Sequence, residues 1–332
     1  MRLLIILFLA GAPFAVSFFN SNKESSGEIH EYFMTQLHLG NYDSIPVILE
    51  KLHKARINDP EDARINADLG FVNLWQFSER GRNPRVEGIE RNVFYSNYFF
   101  KEAIKYDPSD PRLKGFQSAT QICEGALTKD ANKILNGYMK GFNAIKEWPQ
   151  FNKFALSLVS SQLPKNSFLF TLAVKYQWEL LDDCSCREVT KKEIMRSPDL
   201  FFKNLVEEMK TTKDPLIRRA CWNTEIAPHN YEGYLLNFGD MLVKSGNVED
   251  ARKIYSAARL SPTYQDWVYR PVLEKRIVMA SRNKKDFSKM PDLKLESSDQ
   301  QMFINSPMSC TGCHQMSRDE FARNIENKFI FN

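Results

Sequence analysis

The chain has 332 residues, 43% of them hydrophobic and 26% charged, with a formal net charge of +4. That length allows a sizeable core in one or two domains, and the composition is that of a globular protein rather than a disordered one. A charge so small and so dispersed excludes a nucleic-acid surface built on bulk positive potential.

Met1-Arg2 is a short positive start, followed by the apolar run Leu3 to Leu9 and by Ala15-Val16-Ser17, with small residues at the two positions a signal peptidase reads. The pattern predicts a secretory leader over 1–17, cleaved after Ser17, and hence a periplasmic or secreted protein. An uncleaved anchor is the alternative, although Gly11 and Pro13 interrupt the apolar stretch. No later stretch is long and apolar enough to cross a bilayer, so no integral membrane domain is expected once the leader is removed.

From 18 to 280 the chain reads as helix. Apolar residues recur at three- and four-residue spacing, as in Ile48, Leu49, Leu52 and Ala55, and no period-two alternation is sustained. Asp59-Pro60, Asp107-Pro108, Asp110-Pro111 and Ser261-Pro262 mark helix boundaries, because the residue before proline is pushed out of the helical region. The expected fold class is all-α. Aromatics such as Trp75, Phe99, Phe100, Tyr176 and Trp178 are expected in its core.

Between Leu235 and Pro262, Leu235, Phe238, Gly239 and Leu242 form one helix face and Gly246 the turn. Ala251, Tyr255 and Ala258 form a second face that ends at Pro262. This run resembles a tetratricopeptide repeat. Ala55 and Ala103, each five residues before a proline, and the pair Leu69-Gly70 echo its marker positions, with an insertion around Gly81 to Gly88. The resemblance implies a tetratricopeptide-like solenoid of helical hairpins whose groove takes a peptide or protein partner.

Residues 281–305 are charged and turn-forming and read as a linker, or a strapped-down extended segment, leading to a C-terminal segment, 306–332. Ser317 and Glu320 are placed to cap a last helix through Phe321, Ile325 and Phe329. This segment holds Cys310-Thr311-Gly312-Cys313-His314. Two thiols separated by two residues reach one side of a single backbone turn and can add to the two vinyl groups of a porphyrin. The following histidine then lies beneath the iron as proximal ligand. Thr311 and Gly312 are small enough to let the porphyrin edge approach. The motif resembles that of the c-type cytochromes, over these five residues alone. It implies one covalent haem c on Cys310 and Cys313 with His314 on iron, electron transfer as its use, and a redox partner protein. Export agrees with this, since haem is attached outside the cytoplasm. For the second axial position Met302, Met290 and His229 are the candidates, and a five-coordinate iron is the alternative. Met308 and Met316 lie too close to the motif to reach the opposite face.

The rival reading makes the chain an exported protein-binding scaffold whose CxxCH end is a disulfide or a zinc site. The other cysteines are Cys123, Cys184, Cys186 and Cys221. In an oxidising compartment the expectation is two disulfides, joining one of Cys184 and Cys186 to Cys123 and the other to Cys221, with a four-thiolate zinc site as the alternative. No phosphate loop, nucleophile elbow or HExxH is present, so an electron carrier or binding protein is expected before a catalyst.

Overall fold

A computed structural model describes residues 24–82, 87–183, 191–211, 230–289, 301–317 and 319. The expected leader 1–17, His229, Met290, Cys184, Cys186, Cys221 and the expected helix through Phe321, Ile325 and Phe329 lie outside them. The described residues form fourteen α-helices and no strand. None of these helices is long and apolar enough to cross a membrane.

The helix ends follow local chemistry. Helix α1 (Ser26–His38) opens on a capping box, the Ser25 hydroxyl accepting from the Glu28 amide while the Glu28 carboxylate takes the Ser25 amide. Helix α2 (Ile45–Asn58) stops at Asp59, ahead of Pro60. Asp62 caps α3 (Ala63–Ser78) through the Ile65 amide. Helix α4 (Arg91–Tyr106) stops at Asp107, and α5 (Pro111–Thr128) begins with proline in its first turn behind an Asp110 cap. Helices α6 (Ala131–Glu147), α7 (Pro149–Ser160), α8 (Phe168–Asp183), α9 (Lys191–Arg196) and α10 (Pro198–Thr211) continue the array. In chain order α2 packs on α3, α3 on α4, α4 on α5, α5 on α6 and α7 on α8, the neighbour-on-neighbour packing of stacked hairpins.

Helices α11 (Tyr231–Ser245) and α12 (Val248–Ala257) form the hairpin expected from Leu235 to Pro262. Gly246 sits between them at φ 99°, a left-handed position that favours glycine. Gly239 lets the helices close up, since a Cβ there would strike the Tyr255 ring. Helix α13 (Arg270–Asp286) packs back on both. The large aromatics are core residues: Trp75, Phe99, Phe100 and Trp178 are buried, and Tyr176 is partly buried against another cluster.

The segment expected as a linker, 281–305, is structured at both ends. Residues 281–286 are the last turn of α13, whose inner face buries Arg276, Ala280 and Asn283. Gln301, Met302 and Phe303 are buried as well. The reason is Asp240, a fully buried residue of α11. It accepts the Phe303 amide at 2.6 Å and the Tyr255 hydroxyl at 2.5 Å, and it pairs with Arg276 at 3.2 Å. Arg276 also donates to the Gln301 carbonyl. A buried charge pair persists only when its remaining hydrogen-bonding capacity is met, and the incoming strap meets it here.

Candidate functional site

The strap 301–317 ends in a single helical turn, α14 (Thr311–His314), which packs against both α1 and α11. The His314 amide donates to the Cys310 carbonyl at 3.0 Å and the Cys313 amide to the same carbonyl at 3.2 Å. Cys310, Cys313 and His314 therefore share one turn, as their spacing predicts. Cys313 is buried in the core built around α11, beside Phe303, Met302 and Met308, while Cys310 packs against the core of α1 to α3. The turn thus joins the helices α1 to α3 to the hairpin that begins with α11.

The two intervening residues are gripped by the protein. The Thr311 hydroxyl and amide donate to Glu79 at 2.9 and 2.7 Å, and its oxygen accepts from Arg82 at 2.7 Å. A Cβ on Gly312 would run into the Phe303 ring, and its carbonyl accepts from the Trp267 indole at 3.3 Å. The Cys313 carbonyl accepts the Asn230 amide at 2.6 Å. A Cβ on Gly233 would strike the Gly312 carbonyl, so glycine on α11 is what allows this approach.

His38, at the end of α1, holds the other side. Its Nδ1–H donates to the His314 carbonyl at 2.9 Å, and its own carbonyl accepts the Met316 amide at 2.9 Å. The rings of His38 and His314 lie 6.0 Å apart at 40°. Burial lowers the His38 pKa to about 4, keeping the ring neutral. Its Nε2 is buried and has no hydrogen-bond partner among the described residues.

Beside the turn opens a cavity of about 670 Å³, lined by Gln36, Tyr42, Asp43 and Arg82 among others. Gly40, also on its wall and at φ 67°, packs on the Gln315 side chain.

The thiols of Cys310 and Cys313 are free, and burial pushes both well above the usual range. Buried protonated thiols are poor nucleophiles for disulfide exchange. Among the described residues no three His, Cys, Asp or Glu side chains converge closely enough to hold a metal ion. Cys123, on α5, also carries a free thiol, raised to about 11 by burial. Its proposed partners lie outside the described residues, as do His229 and Met290. Met302, the third candidate axial ligand, is buried in the core that receives Cys313.

The sequence reading missed Glu79, Arg82, His38 and Asn230. The one signal for the first two was the break in the repeat near Gly81, where the chain forms a short 3-10 turn over Arg80–Arg82. No protein-family model matches the chain, and neither a curated protein nor a solved structure is significantly similar to it.

Proposed function

We propose that this is an exported, tetratricopeptide-like helical-repeat protein that carries one covalent haem c on Cys310 and Cys313, with His314 as the proximal ligand, and that it transfers electrons. The observation that carries the reading is the single turn linked by the His314–Cys310 hydrogen bond of 3.0 Å, with the two residues between the cysteines held by Glu79 and Phe303. That arrangement places both cysteines and the histidine on one backbone turn. The Nε2 of His38 also supports the fit, as a buried polar atom with no hydrogen-bond partner among the described residues. Bound haem would supply a one-electron iron couple. The chain's own part is to hold the two attachment cysteines and the His314 imidazole still. His38 and Asn230 fix the backbone carbonyls of His314 and Cys313, and the buried apolar neighbours of Cys313 keep water from one side. The hairpin α11–α12, with its glycines at the helix contact and the turn, supports the repeat reading. Its partner would be a redox protein docking near the cavity beside Arg82.

Purified full-length protein, expressed with a haem-attachment system, should be red, give the absorption bands of a c-type haem and titrate as one one-electron centre. A second reading, a binding scaffold in which the strap is purely structural, is favoured by the depth of Cys313 and Thr311 in the core. A colourless, fully folded product would support it.

A further inference from the structure

We propose that Glu79 is the positioning residue of this site: a buried carboxylate that seats the Cys310–His314 turn and carries a fixed negative charge beneath it. Glu79 caps α3 and is fully buried. Its Oε1 accepts the Cys310 amide at 2.9 Å, the Thr311 amide at 2.7 Å and the Thr311 hydroxyl at 2.9 Å. Its Oε2 accepts the Trp75 indole at 3.0 Å and the Arg82 guanidinium at 2.8 Å. The two amides, the Trp75 indole and the Arg82 guanidinium can only donate, so a carboxylic acid proton would find no acceptor among these four. Burial raises the Glu79 pKa, while the Arg82 guanidinium and the Thr311 and Trp75 donors favour the ionised form. The Thr311 hydroxyl is oriented for this role, since Arg82 already donates to its oxygen at 2.7 Å.

The arrangement does two things. Two adjacent amides of the incoming strap converge on one oxygen, which fixes the rotation of the turn and therefore the direction of His314. Arg82 ties the same carboxylate to the Pro307 carbonyl and to the Tyr269 hydroxyl, which locks the strap between the first hairpins and the last repeat. The buried charge also bears on an iron held by this turn. A negative charge in a poorly screened interior favours the more positive, oxidised metal and lowers its reduction potential. This last consequence rests on the haem reading, whereas the seating of the turn does not.

The test uses full-length protein with Glu79→Gln and, separately, Thr311→Val. Gln keeps the shape but sets an NH2 group against two or three of the five donors. In protein made without the attachment system, amide hydrogen exchange at Cys310 and Thr311 should quicken by about tenfold or more in Glu79→Gln, while α11 amides stay protected. In haem-loaded protein the midpoint potential should rise. Unchanged exchange at both amides overturns the proposal. If Glu79→Gln does not fold, Thr311→Val decides: faster exchange confined to the strap supports it and wild-type exchange refutes it. Wild-type protein that takes no haem, yet shows the exchange effect, would refute the haem reading and leave the role of Glu79 standing.

Discussion

Lys244 shows how a single buried group sets a measurable response. Its ammonium donates to the Ser161 carbonyl at 2.7 Å and lies 5.2 Å from the centre of the Phe170 ring. Burial lowers its pKa from 10.5 to about 8. Below pH 8 both folded and unfolded chains are protonated, and the cost of burying the charge is felt in full. Between pH 8 and 10.5 the unfolded chain binds more protons, so this group makes stability rise with pH. The gain is of order 2 kcal/mol after allowing for the carbonyl partner and partial screening. Denaturant titrations of wild type and Lys244→Met across that window should give curves that converge as the pH rises; parallel curves would contradict the assignment. Asp240 gives the complementary case. Asp240→Ala leaves Arg276 buried without its carboxylate and should cost about 3–5 kcal/mol, whereas Asp240→Leu combined with Arg276→Met should cost markedly less. Equal losses in the single and double variants would show that the pair is not the source of the penalty. Neither residue stands out in the sequence, because Asp240 and Lys244 read as the polar positions of an ordinary amphipathic helix. Their burial follows from what α7, α8, α13 and the strap bring against α11.

At the scale of elements the helices were legible because their ends are written locally. Asp59 and Asp107 stop α2 and α4 ahead of prolines, and Asp62, Asp110 and Asp130 cap the helices that follow. The small residues of the α11–α12 hairpin were equally readable. Gly239→Ala would press a Cβ into the Tyr255 ring and should destabilise by about 1–3 kcal/mol. Gly246→Ala forces a left-handed backbone on alanine and should cost about 1 kcal/mol. Thermal or urea unfolding of the two variants checks both the signs and the order, with Gly239→Ala the more damaging. The strap was legible only as one of two alternatives, a linker or a strapped-down extended segment. Residues 301–305 carry no periodicity, and their order comes from contacts with Asp240 and Arg276, far away in sequence.

At the scale of the whole molecule α14 contacts both α1 and α11, so the strap links the first described helices to the last ones. The five residues of the motif were readable without any structure, because haem attachment is a demand on adjacent residues. What holds them was not, since Glu79, Arg82 and His38 lie more than 220 positions upstream of the turn they grip. The described helices bury cores of their own away from the turn, so Cys310→Ala with Cys313→Ala should leave the helical signal intact and remove covalent haem. The loss in stability should be about 1–2 kcal/mol, from a small cavity at Cys313.

The most direct measurement is mass spectrometry of the full-length protein expressed with a working haem-attachment system, followed by peptide mapping after denaturation. The account predicts one haem retained under denaturing conditions, on the peptide that contains Cys310 and Cys313, and absent from the double alanine variant. Wild-type protein whose Cys310 and Cys313 remain alkylatable thiols, with no added mass, would contradict it.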